Sequence, residues 1–110
     1  MASKPIVLVA QAGSSNPASP VWIPDKNVTV WNVGFGCVVT GTVTYTVQHT
    51  YDDPNVVASP TWWSDSVVVA QTANKEGSST TPVMAYRVLT TAGTGSVTAS
   101  FVQAGVGFNS

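Results

Sequence analysis

Between Cys37 and Thr50 the chain alternates with a period of two. Val39, Val43, Tyr45 and Val47 fall on one side, and Thr40, Thr42, Thr44, Thr46 and Gln48 on the other. A half-buried β-strand has that pattern and a helix does not. The residues themselves push the same way. Val and Thr are branched at Cβ, stiff at χ1, and sit more easily on a pleated surface than on a helix. Strong helix formers are nearly missing, with two Leu, one Glu and three Lys among 110 residues. No window keeps apolar residues at three- and four-residue spacing for long enough to build a helix. The chain is therefore expected to be all-β.

Strands are expected at Pro5 to Gln11, in a short piece at Val21 to Ile23, and at Asn27 to Val33. Gly34 and Gly36 then read as an interruption, a bulge or bend. One long strand should run from Cys37 to Thr50 and stop at the turn-forming Asp52-Asp53-Pro54-Asn55. Val56 to Ser66 reads as irregular, Val67 to Thr72 as a short strand, and Ala73 to Ser79 as a loop. Thr81 to Thr91 and Ser96 to Gln103 complete the set, with Ala92-Gly93-Thr94-Gly95 between them as a hairpin turn. Short strands with Gly, Pro and Ser connections predict a two-sheet antiparallel sandwich. The paired Cys around a Trp that mark immunoglobulin domains are absent, so the expectation is jelly-roll-like. At this length residues 1–110 should form a single domain, with 1–20 and 104–110 as extended arms able to add a strand to a partner's sheet. Lys4, the run Ile6 to Ala10 and Ala10-Gln11-Ala12 imitate a secretion signal. The apolar core is shorter than the roughly 7–15 residues such signals use, so this segment reads as a first strand.

Composition removes several functions. Only 8% of residues are charged and the net charge is −1. The four basic residues, Lys4, Lys26, Lys75 and Arg87, are scattered and make no stripe for nucleic acid. The longest apolar run, about six residues, is far short of the roughly 20 that span a bilayer as a helix, so no membrane partner is expected. Cys37 has no partner for a disulfide and lies in an apolar stretch, where a buried free thiol is expected. A weakly charged surface repels copies of itself little, which favours assembly.

His49, Asp52 and Asp53 are the only clustered ionisable groups. A metal site there lacks a visible third ligand, and acid–base chemistry needs a pocket that sequence cannot supply. They read instead as a strand end and an Asx-type turn. One His and no nucleophile elbow leave nothing for a triad, and Cys37 pairs with His49 only if the fold brings them together. Gly34-Phe35-Gly36 and Gly93-Thr94-Gly95 are too sparse for a phosphate loop. Asn27-Val28-Thr29 is a glycosylation sequon without a secretory context. No catalytic, cofactor-binding or metal residue is assigned, and the chain is not expected to be an enzyme. The tryptophans carry more information: Trp22, Trp31, Trp62 and Trp63. Neighbours on an extended segment point to opposite sides, so Trp62 and Trp63 cannot share one core. One is expected to seal the sandwich and the other to anchor a partner, with sugar stacking as the competing use. The expected contact residues are Trp62, Trp63, Ile6, Leu8 and Phe108.

Three stretches together resemble small virion proteins of tailed bacteriophages. They are Val43-Thr-Tyr-Thr-Val-Gln-His-Thr-Tyr-Asp-Asp-Pro54, Ser59-Pro-Thr-Trp-Trp63 and Thr81-Pro-Val-Met-Ala-Tyr-Arg87, and the resemblance spans residues 27 to 103. It implies a structural protein of the virion, most simply a capsid decoration or cement protein. Such a protein is made in the host cytoplasm and sits on the capsid surface, binding the major capsid protein across capsomers as a dimer or trimer. The rival expectations are a small tail or fibre component, or a carbohydrate-binding module with an exposed Trp platform.

Overall fold

The computed structural model describes residues 6–13, 17–24, 32–79 and 81–103. The expected strand at Asn27 to Val33, Trp31 within it, and the expected arm at 104–110 with Phe108 lie outside or almost outside those residues. Among the described residues there are seven strands and no helix: β1 (Ile6–Gln11), β2 (Val33–Thr40), β3 (Val43–Thr50), β4 (Trp62–Ser64), β5 (Lys75–Ser79), β6 (Ala85–Gly93) and β7 (Ser96–Gln103). They form two antiparallel sheets packed as a sandwich. One has the order β1-β7-β2-β5 and the other β4-β3-β6.

The pairing is nested, β2 with β7 and β3 with β6. What reads in sequence as one strand from Cys37 to Thr50 is a ribbon that leaves the first sheet at Gly41-Thr42 and enters the second. The ribbon from β6 into β7 crosses beside it, so Ala92 to Gly95 is a corner between sheets and not a hairpin turn. The two corners are bolted together. Thr94 and Gly95 both donate their N–H to the Thr42 carbonyl, at 2.9 and 2.7 Å, and Ala12 donates to the Gly95 carbonyl at 2.9 Å. The backbones approach so closely that only glycine fits. A Cβ on Gly95 would overlap the Thr40 carbonyl oxygen and lie 2.9 Å from the Thr42 nitrogen. Gly93 turns the chain at φ 98°, a conformation that L side chains disfavour.

Burial follows the period of two. Leu8 and Ala10 of β1, Val33, Phe35 and Cys37 of β2, and Val97, Ala99 and Phe101 of β7 face Tyr45, Val47, Tyr86 and Val88 of the other sheet. At the centre Phe35, Tyr86 and Phe101 meet ring to ring with centroids 5.3 to 6.0 Å apart, and Trp22 packs on Tyr86 at 5.9 Å and Phe101 at 5.5 Å. Among the described tryptophans Trp22, not Trp62 or Trp63, is the one that closes the sandwich. It arrives on the segment 17–24, which runs along the free edge of β6. There Trp22 exchanges backbone hydrogen bonds with Tyr86 at 3.0 and 2.9 Å, and the Val88 N–H donates to Ser19 Oγ at 2.9 Å. Pro17, Pro20 and Pro24 keep this segment from becoming a regular strand.

Four further expectations are corrected. Gly34 and Gly36 do not interrupt β2; they occupy its outward positions while Val33, Phe35 and Cys37 fill the core. Val67 to Thr72 is no strand despite its valines. The Asp65 carboxylate accepts the N–H groups of Val67 and Val68, and Ala70 sits at φ 52° with its N–H bound to Thr46 Oγ1. Conversely, Lys75 to Ser79 is strand β5 and not loop. It lies at the sheet margin, where it pairs with β2 alone and its polar side chains stay wet. Likewise, the described part of the expected arm 1–20 is not an arm: β1 pairs with β7 along its whole length.

Candidate functional site

The ionisable cluster resolves into turn chemistry. Asp52 accepts the Thr61 N–H at 2.8 Å, and Asp53 accepts the Asn55 N–H at 2.9 Å as an Asx turn. The side chain that Cys37 meets is Tyr45, whose hydroxyl donates to the Ala73 carbonyl at 2.8 Å. Burial pushes the Cys37 thiol up to about 11, with the Tyr45 hydroxyl working against that, and burial pushes Tyr45 up to about 12. Both stay protonated at neutral pH, the less reactive form of each group. Among the described residues no three His, Cys, Asp or Glu side chains gather in a way that could hold a metal ion. Nor is any helix there long and apolar enough to cross a membrane.

Two surfaces remain that a partner can use. The first is the outer face of the four-stranded sheet. The pairing lines up Val7, Ser100, Gly36 and Glu76 in one row, Val9, Thr98 and Val38 in the next, and Val102, Gly34 and Ser78 in a third. Val7, Val9, Val38 and Val102 are about half exposed. Gly34 and Gly36 leave a shallow trough between them, since a Cβ on either would meet no atom within 4 Å. Among the described residues of this face, charge appears only on the marginal strand β5. The outward valines of β1 were legible as alternation, but Gly34 and Gly36 disguised the continuation of the face across β2.

The second surface is the end of the sandwich near Asp52. Pairing places His49 opposite Trp63 and Thr50 opposite Trp62, so the two tryptophans point to opposite faces as the extended segment requires. Trp62 joins Gln48 and Arg87 on the outer face of the three-stranded sheet. The Arg87 guanidinium lies 4.2 Å from the centre of its ring and its Nε donates to Gln48 Oε1 at 2.8 Å, which takes up one face of the indole. Trp63 is 54% exposed, against Tyr51, exposed to the same degree. Their rings meet edge to face at 6.4 Å, and Tyr51 meets His49 at 5.5 Å. Burial lowers the His49 pKa, with the Asp65 carboxylate opposing.

Of the other residues singled out in the sequence, Ile6 is partly exposed at the start of β1, whereas Leu8 is buried in the core and turned away from any partner. Tyr51 was not singled out, although its place in the aromatic-Asp-Asp run next to His49 was a usable signal. Set against protein-family models, curated proteins and solved structures, the chain matches none.

Proposed function

We propose that this chain is a structural virion protein that decorates a phage capsid and cements neighbouring capsomers. The observation that carries the reading is the outer face of the four-stranded sheet: a flat, nearly uncharged surface of half-exposed valines around a glycine trough, ending in the edge strand β1. A surface of that kind costs solubility unless something covers it, and uncharged strand edges invite pairing with another chain. A shell of repeated capsomers offers such a cover at fixed spacing. Each copy needs only a standard interface, on the order of 1,600 Å², because many contacts around a shell act together. The sequence resemblance to virion proteins points the same way. Copies of the chain itself, as a dimer or trimer, are the second partner of this reading.

The test is co-expression with the major capsid protein of the same phage, followed by sedimentation of heads. The wild-type chain is expected on heads at a fixed ratio. A Val9→Glu, Val38→Glu variant should melt near the wild type yet stay in the supernatant. Recovery of the wild type only with tails, or undiminished head binding by the variant, overturns the reading.

A further inference from the structure

We propose that the cleft beside Tyr51 binds a neutral saccharide, one pyranose ring stacking on Tyr51 and reaching the neighbouring Trp63. This does not rest on the capsid reading and holds or fails separately from it. His49, Tyr51 and Trp63 share the face that carries Tyr45 and Val47 into the core; His49 and Tyr51 line a cleft, and Trp63 stands beside Tyr51 at its margin. The cleft measures about 330 Å³, room for a single sugar unit, and is walled opposite by Ser79, Thr81 and Val83. Scattered exposed aromatics are ordinary. Three rings in edge contact at the mouth of a polar cleft are a shaped surface, and large exposed rings next to convergent hydrogen-bonding groups are how small-molecule sites are built.

The chemistry around the rings selects the ligand. A pyranose presents an apolar C–H face for stacking and hydroxyls that both donate and accept. His49, kept neutral by burial, has one nitrogen that donates and one that accepts. Asp65 is fixed by two N–H groups on Oδ2, at 2.9 and 2.8 Å, which leaves Oδ1 to accept from a sugar hydroxyl. The exposed hydroxyls of Ser64 and Ser66 stand beside it. Among the described residues no Lys or Arg lines the cleft, and the nearby Arg87 is committed to Trp62 on the other face of the sheet. A phosphate, sulfate or sialic acid would find Asp65 and no cation. The described lining therefore disfavours acidic sugars and favours neutral ones.

The experiment is a titration of the folded chain with methyl glycosides of glucose, galactose, mannose and N-acetylglucosamine, followed by tryptophan fluorescence and amide NMR shifts. Sialic acid and adenosine serve as competing classes. Expected is saturable millimolar binding of at least one neutral glycoside, with shifts confined to residues 49–51 and 63–66. Affinity should fall at least tenfold in Trp63→Ala and in Tyr51→Ala and be unchanged in Trp62→Ala, all with native-like spectra. Absence of shifts with every neutral sugar overturns the proposal. So does preference for sialic acid or adenosine, or binding that survives loss of Trp63.

Discussion

Replacing Gly95 by Ala adds one methyl group at the place where the two ribbons cross. That methyl would overlap the Thr40 carbonyl oxygen and lie 2.9 Å from the Thr42 nitrogen and 3.0 Å from the Gly41 carbonyl carbon. All three are backbone atoms inside a corner, so no side chain can swing aside. Relief requires the 93–95 and 41–42 corners to separate, which breaks or lengthens the bonds from the Thr94 and Gly95 N–H groups to the Thr42 carbonyl. Overpacking costs about 1–3 kcal/mol and each lost bond about 1, together roughly 3–5 kcal/mol. Against a total stability of about 5–15 kcal/mol, that is a large share. At about 4 °C per kcal/mol, Tm should fall by roughly 12–20 °C. Gly36→Ala is the control. It adds the same methyl on the outer face of β2, where a Cβ meets no atom within 4 Å. Loss of unfolded-state freedom should leave it neutral or stabilised by about 0.4–1 kcal/mol. Thermal melts followed by tryptophan fluorescence compare the two. If Gly95→Ala melts within a few degrees of the wild type, or if Gly36→Ala falls as far as Gly95→Ala, the corner does not work as argued.

Trp22→Ala should cost about 3–5 kcal/mol, because it removes a ring packed on Tyr86 and Phe101; Trp63→Ala should leave the melt nearly unchanged, and equal losses in urea titrations would contradict the placement of Trp22. The Cys37 thiol should resist a disulfide reagent at pH 8 in the native state and react fully in denaturant. Its folded pKa of about 11 lies above the unfolded 9.0, so the stability it contributes is intact below pH 9 and is lost as pH rises towards 11, with the raised Tyr45 adding in the same direction; a flat urea midpoint from pH 8.5 to 11 would refute this. For His49 the sign is opposite. Its folded pKa lies below the unfolded 6.5, so stability is full above pH 6.5 and declines as pH falls below it. His49→Gln should flatten that acid limb, and an unaltered limb would show that His49 is not its source.

How legible this was in the sequence depended on whether local chemistry and tertiary placement agreed. Ser96 to Gln103 is a strand between its expected bounds because β7 lies mid-sheet and its Val97, Ala99 and Phe101 alternate cleanly. The Asp52-Asp53 turn was visible because its bonds are local. By contrast, the corner at Gly41-Thr42 leaves the alternation unbroken from Val39 to Val43, since a ribbon that bends between sheets keeps presenting the same side inward. Only the identity of the neighbouring sheet changes, and composition is blind to that. β5 was hidden for a related reason, as its single neighbour and wet surface ask for no β-branched residues. The valines at 67 to 69 misled because the Asp65 carboxylate overrides their preference. At the candidate sites, the opposed directions of Trp62 and Trp63 followed from backbone geometry. The cleft did not, because Ser79 and Thr81 come from the far side of the fold.

The pairing of β1 with β7 sets a schedule for synthesis. Ile6 sits opposite Phe101, and among the described strands β7 is the only neighbour β1 has. A ribosome adding about 5–20 residues per second delivers that partner roughly 5–20 s after β1 has emerged. For that interval a strand of Ile, Val and Leu is complete and unmatched, and the sheet cannot close until nearly the last described residue is made. High contact order of this kind slows folding. It also means that two chains growing on one message can each offer β1 to the other's β7, the exchange from which swapped dimers arise.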